Sequence, residues 1–322
     1  NRRDNETDAA QIAEYEIPSI DLVIVDLYPF EQTVASGAEE AAIIEKIDIG
    51  GISLIRAAAK NFNDVAIVAS KGQYGILLDI LKRNGATTTL EDRRLLAREA
   101  FAVSSGYDGA IFNYFDAGEG STFRAGVNGK KALRYGENPH QQGAFYGDFE
   151  AMFEQLHGKE ISYNNLLDID AAVSLIAEFD ETTFAVLKHN NACGIASRET
   201  ILDAWTAALA CDPVSAFGGV LIANRPIDLA TAEEVNKIFF EVIIAPEYAP
   251  EALEVLKQKK NRIILVQKQP NTTTKQYRSL LGGVLVQDRD LHTEQPAELR
   301  QATDRAVEAD RIADLLFANK IV

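Results

Sequence analysis

The densest chemistry in the 322-residue sequence lies in Leu187-Lys188-His189-Asn190-Asn191-Ala192-Cys193-Gly194, where an apolar run ends in a cation, an imidazole, two carboxamides and a glycine. An imidazole exchanges protons near neutral pH. A neighbouring ammonium lowers its proton affinity and keeps it available as a base. In a parallel α/β sheet the C-terminal strand ends face the ligand crevice, which is where such side chains are expected. The plainer alternative is a polar strand-to-loop transition in which His189 only caps backbone groups.

A second cluster is Arg134-Tyr135-Gly136-Glu137-Asn138-Pro139-His140-Gln141. Arg134 can grip a phosphate bidentately, and Tyr135 can stack on a planar heterocycle. Gly136 and Pro139 shape a turn, and His140 reads as an ordinary surface residue of it. Gly218 and Gly219 allow a backbone to approach a ligand closely. Glu241 separates an apolar helix from an apolar strand, as a sheet-edge carboxylate or a partner for an amine or hydroxyl group. Asn164 and Asn165 are placed to cap the helix that follows. Nearer the start, Asp26-Leu27-Tyr28-Pro29-Phe30 closes a buried run. Gly50 and Gly51 open a helix whose bare amides favour anions, and Tyr28, Asp48 and Lys60 are titratable groups that could meet one ligand there. Lys60 alternatively has a solvated position at a helix C-terminus.

The elements that must position these residues follow from periodicity. Short β-branched apolar runs predict strands at 20–25, 65–69, 184–187, 220–223, 242–245 and 263–266. Apolar spacing of three or four predicts helices at 38–47, 52–60, 73–83, 90–115, 165–179, 199–210, 231–240 and 250–259. Strands alternating with helices argue for an α/β fold, with a parallel, doubly wound sheet in the first part and the α/β pattern repeated around a separate core in the second. The aperiodic stretch 116–130 is the expected boundary.

A net charge of −16 argues against nucleic acid as a partner. No apolar run reaches the roughly 18 residues of a membrane helix, and no secretory signal precedes the first strand. Cys193 and Cys211 have neither disulfide nor zinc spacing and read as small buried residues in a reducing, cytoplasmic setting. The sequence does not open on Met and closes directly after a helix, so a longer gene product is expected.

Together, Asp26-Leu27-Tyr28-Pro29-Phe30, Ile47-Asp48-Ile49-Gly50-Gly51, Arg56 to Asn61, Leu133 to Gln141, Leu187-Lys188-His189 and Ser215 to Gly219 resemble, in order and spacing, the bifunctional purine biosynthesis family that joins aminoimidazole carboxamide ribotide transformylase to inosine monophosphate cyclohydrolase. The resemblance implies a partial methylglyoxal-synthase-like cyclohydrolase domain over 1–127 and the N-terminal part of a cytidine-deaminase-like transformylase domain, without zinc, over 128–322. It implies a homodimer, purine ribotide and folate substrates, 10-formyltetrahydrofolate as formyl donor, and no metal in the chemistry. By this likeness His189 is the base of formyl transfer and Lys188 stabilises the developing charge. Arg134, Tyr135, Gly218 and Glu241 bind the ribotide. Lys60 moves protons in ring closure, Tyr28 and Asp48 orient the reacting groups, and Val25, Asp26 and Ile49 touch the nucleotide. The family's early Lys-Thr-Leu-His-Pro segment, its first phosphate loop and a later Lys-Ser-Asn segment are not in this sequence. A folded but catalytically silent binding or dimerisation module is therefore the competing expectation.

Overall fold

In the computed structural model, which describes residues 2–321, the chain separates into two compact units, Asn1–Gly126 and Val127–Val322. Both are α/β. The first contains α1 (Glu6–Glu14), β1 (Leu22–Ile24), α2 (Phe30–Ala35), α3 (Glu40–Ile44), α4 (Gly50–Lys60), β2 (Ala66–Val68), α5 (Tyr74–Arg83) and α6 (Leu90–Asp116). Its sheet is two parallel strands, with Leu22 beside Ala66 and Ile24 beside Val68. Ile55 and Ala59 of α4, Ile67 and Val68 of β2, and Leu96 and Ala100 of α6 form its main core. A smaller cluster packs Phe30, Ile43 and Tyr107 together.

The second unit runs β3 (Lys130–Leu133), β4 (Gly143–Tyr146), α7 (Phe149–Met152), β5 (Phe153–His157), α8 (Tyr163–Ile176), β6 (Thr183–Lys188), β7 (Asn191–Ser197), α9 (Ile201–Cys211), β8 (Val220–Ala223), α10 (Leu229–Val235), β9 (Val242–Ala245), α11 (Pro250–Leu256), β10 (Ile263–Gln267), β11 (Lys275–Leu280), β12 (Gly283–Asp288) and α12 (Ile312–Ile321). Its six-stranded sheet has the order β5-β10-β9-β8-β6-β7. Successive residues of a strand face opposite sides, and the two cores follow from that. Phe184 and Val186 join Trp205 of α9, Val235 of α10 and Leu256 of α11 on one face. Ala185 and Leu187 join Ile169 and Val173 of α8 on the other.

The expected parallel sheet is only partly present. β8, β9 and β10 are mutually parallel, but β6 is antiparallel to β7 and β8, and β5 to β10. The reversal arises because Asn191–Ser197, whose polar start and glycine suggest a loop, returns from β6 as a strand through a two-residue turn. Three helices are also shorter than expected: the one over 38–47 forms only as Glu40–Ile44, α10 stops at Val235 and α11 at Leu256. The strand expected over 20–25 hydrogen-bonds as β1 over three residues.

Candidate active site

Lys188 pairs with Asn191 across β6 and β7, leaving His189 and Asn190 as the whole turn. Both have positive φ, 53° and 64°, as required at the two central positions of a type I′ hairpin turn. Asn and His tolerate that left-handed region better than most side chains. The Asn190 amide donates to Asp168 Oδ1 of α8 at 2.8 Å, and Asn191 Nδ2 donates to the His189 carbonyl at 2.8 Å. The His189 ring stands exposed above this fixed turn. Lys188 is half-buried and donates through Nζ to the Phe217 carbonyl at 2.9 Å. An ammonium has three donors, so that bond aims Lys188 while leaving two.

Gly218 and Gly219 lie directly against this strand end. Gly218, at φ 76°, donates its amide to the Phe239 carbonyl at 2.8 Å. A Cβ on Gly219 would sit 2.7 Å from the Leu187 carbonyl oxygen, so only glycine permits the approach. Gly219 in turn accepts the Glu241 amide at 3.0 Å. The Glu241 carboxylate is ion-paired with Lys159, a residue the motifs did not single out. Lys188, Gly218 and Glu241 thus share one edge of the sheet. That edge is not a crevice at the C-terminal ends of parallel strands. Because β6 runs against β8, Leu187 lies beside Val220 and Val220 beside Val242, so the motif residues sit at the N-terminal ends of the parallel trio. The C-terminal ends open instead on a cavity of about 720 Å³, whose charged lining includes Glu178, Arg225, Lys268 and Arg289 and none of the motif residues.

Arg134 follows β3, exposed, with its guanidinium 5.4 Å from the Tyr135 ring centroid. The turn beyond it is self-closed: Gly136 N donates to the Gln141 carbonyl at 2.8 Å and Asn138 N to Gln141 Oε1 at 2.8 Å. His140 is exposed on it. Asn165 completes a capping box with Ser162 at the start of α8, whereas Asn164 reaches out and donates to the Glu137 carbonyl at 3.2 Å. Asn164 and Asp168 are four residues apart, hence on one helix face about one 5.4 Å turn from each other. One face of α8 therefore holds both the turn after Arg134-Tyr135 and the turn that carries His189.

In the first unit, Asp48 accepts the Gly51 amide at 2.6 Å and the Tyr28 amide at 3.4 Å, so its carboxylate occupies the start of α4. Ile49, 72% exposed, stands beside it. The Tyr107 hydroxyl pins the segment from below, accepting the Asp48 amide at 2.7 Å and donating to the Lys46 carbonyl at 2.5 Å. Burial pushes the Tyr107 phenol up, which keeps it a donor. Val25 N donates to the Val68 carbonyl at 3.0 Å. Asp26 accepts the Tyr74 hydroxyl at 2.6 Å, a bond that raises the Tyr74 phenol. Lys60 is exposed on the last turn of α4, about 15 Å along the axis from its first residue at 1.5 Å per residue. Tyr28 and Asp48 are brought together; Lys60 is set at the far end of the helix.

Cys193 is half-buried, donates to the Val186 carbonyl at 3.4 Å, and has its thiol pushed up by desolvation. Cys211 differs from the expected buried residue: it is the last residue of α9 and is exposed. Among the described residues no group of His, Cys, Asp and Glu could hold a metal ion, and no helix is long and apolar enough to cross a membrane.

The family model described as the AICARFT/IMPCHase bienzyme matches residues 58–322. The chain belongs to that family. Its relatives include the bifunctional purine biosynthesis protein PurH of Bacteroides thetaiotaomicron, 71% identical over all of this chain and 63% of the relative, and that of Rhodospirillum rubrum, 46% identical over 99% of this chain and 63% of the relative. The chain thus spans about 63% of the length of these bienzyme relatives. A solved structure, the crystal structure of ForH, aligns over 36% of this chain and 60% of its own at 35% identity with a TM-score of 0.31. Asp168, Lys159 and Tyr107 are the residues of these sites that the motifs missed. Only Lys159 carried a local signal, the glycine before it.

Proposed function

We propose that this chain carries parts of the two sites of a bifunctional purine-synthesising enzyme: part of a methylglyoxal-synthase-like cyclohydrolase over 1–127, and the N-terminal part of a deaminase-like transformylase over 128–322. The gene product would work in the cytoplasm as a homodimer. In the first reaction the 5-amino group of aminoimidazole carboxamide ribotide attacks the formyl carbon of 10-formyltetrahydrofolate. The bond to N10 breaks, that nitrogen gains a proton, and the amine loses one to His189. Lys188, held by the Phe217 carbonyl, stabilises the oxyanion of the tetrahedral intermediate, a kind of interaction worth several kcal/mol in a dry site. Arg134, Tyr135, Gly218 and Glu241 hold the ribotide. In the second reaction the carboxamide nitrogen closes on the formyl carbon and water leaves. Tyr28 and Asp48 orient those groups and Val25, Asp26 and Ile49 contact the nucleotide, while Lys60, at the opposite end of α4, has only the family resemblance behind its role of moving protons. Holding one flexible molecule in a near-attack shape supplies most of that rate.

What supports the reading most is the common support on α8, where Asn164 and Asp168 tie the Arg134-Tyr135 turn and the His189 turn to one helix face. The test uses the full-length gene product. His189→Ala abolishes formyl transfer and leaves cyclisation of supplied intermediate intact, and Lys60→Ala does the reverse. Equal loss of both rates in either variant would sink the assignment. Formyl transfer and cyclisation by the 322-residue chain at the full-length rates would eliminate the silent-module alternative.

A further inference from the structure

The main chain of Glu241 is fixed on both sides. Its amide donates to the Gly219 carbonyl and its carbonyl accepts the Ile263 amide, each at 3.0 Å. The preceding Phe240 lies under the Arg262 guanidinium, 4.0 Å from the ring centroid, and that guanidinium also donates to Asn236 at 2.9 Å. The side chain of Glu241, by contrast, has one partner among the described residues, the Lys159 ammonium on Oε2. Oε1 makes no hydrogen bond among the described residues. Lys159 is itself delivered by a close approach that only glycine allows. Gly158 has φ 105°, and a Cβ there would sit 2.2 Å from the Arg262 carbonyl oxygen. Both ends of the ion pair therefore rest on one buried residue, Arg262, although 82 positions separate Lys159 from Glu241.

A pair in which each side chain is 30% exposed adds little to folding, since partly solvated ion pairs are screened and cost side-chain entropy. Its effect lies in geometry. A carboxylate on an extended glutamate stem samples several rotamers unless something holds it, and a carboxylate waiting for a hydroxyl or amine gains affinity when that freedom is removed beforehand. We propose that Lys159 is a positioning residue of the ribotide site: it holds Glu241 by one oxygen so that the other is presented to a hydroxyl or amine group of the ribotide. This rests on the transformylase reading of the second unit. It adds to that reading a residue none of the motifs contains, on the loop that leads into α8, whose Asn164 donates to the turn after Arg134-Tyr135.

The experiment is steady-state formyl transfer by the full-length protein with Lys159→Met, Lys159→Arg, Glu241→Gln and the Lys159→Met/Glu241→Gln double variant. Ribotide KM and kcat are measured separately, and each variant's thermal unfolding is recorded. Lys159→Met is expected to raise KM about tenfold with kcat within about threefold, the signature of lost ground-state binding. Lys159→Arg restores KM to within about threefold of the parent. The double variant is no worse than Glu241→Gln alone, because Lys159 acts through that carboxylate. An unchanged KM in Lys159→Met beside a raised KM in Glu241→Gln overturns the role of Lys159 and leaves the site reading standing. Multiplicative effects in the double variant overturn it too. A parental KM in Glu241→Gln together with parental rates in His189→Ala removes the site reading and this proposal with it. If Lys159→Met fails to fold, Lys159→Gln, a shorter donor without charge, makes the same comparison.

Discussion

At His189 the backbone does something the side chain alone would not announce. A φ of 53° at a non-glycine residue carries a strain of order 1 kcal/mol, and Asp168 offsets it by accepting the Asn190 amide. Asp168→Ala in the full-length protein should let that turn relax, lowering kcat for formyl transfer about tenfold while ribotide KM stays within about twofold. Asp168→Asn, which keeps an acceptor oxygen, should recover most of the rate. Parental kcat in Asp168→Ala would mean that the turn holds itself. The residue types at this turn were readable because Lys188, His189 and two carboxamides interrupt an apolar run. Their setting is not legible, since nothing in Asn191-Ala192-Cys193-Gly194 announces a return strand. The pairing of Lys159 with Glu241 is beyond reach for a different reason: a contact across 82 residues leaves no local pattern.

Among the elements, the runs Phe184 to Leu187, Val220 to Ala223, Val242 to Ala245 and Ile263 to Leu265 were legible because buried strands are continuously apolar. Helix ends were less so. Phe239 and Phe240 extend the apolar pattern of α10 by several residues, yet Phe240 is buried beneath Arg262 after the helix has ended. The β11–β12 hairpin lies outside the expected strands although Gly282 and Gly283 mark its turn, because its apolar run, Val284-Leu285-Val286, is three residues long and exposed. The best-defined helix start is that of α6, where Thr89 and Asp92 form a capping box and Arg83 and Asn84 add to the carboxylate. Thr89→Ala should cost about 1 kcal/mol in the denaturant unfolding of the first unit. The Thr89 amide, with smaller help from its hydroxyl, Arg83 and Asn84, holds the Asp92 carboxyl below its ordinary value against burial. A depressed folded value means that this stabilisation is complete above the unfolded carboxyl value of about 3.9 and is lost as pH falls through the folded one. Asp92→Asn should therefore flatten the acid side of the stability curve. An unchanged slope below about pH 4 would contradict the linkage.

Over the whole molecule, two units with separate cores imply two unfolding events. Leu96→Ala should lower only the transition of the first unit and Trp205→Ala only that of the second, each by roughly 3–5 kcal/mol for a fully buried side chain. Calorimetry in which either variant shifts both transitions equally would refute that independence. An alternation of strands and helices announces two α/β units, but the direction of each strand depends on where the chain turns back, which composition does not encode.

The reversal of β6 has an electrostatic corollary. Since β8, β9 and β10 each begin at the edge that holds Lys188 and Glu241, the helices preceding them, α9, α10 and α11, bring their carboxyl ends to it. Those tails expose oxygen-bearing, partly negative groups, which attract ammonium and guanidinium heads and repel phosphate. An anion captured along that rim would owe its hold to flexible cationic stems more than to oriented amides, and its affinity would fade as added electrolyte shortens a screening distance of about 8 Å.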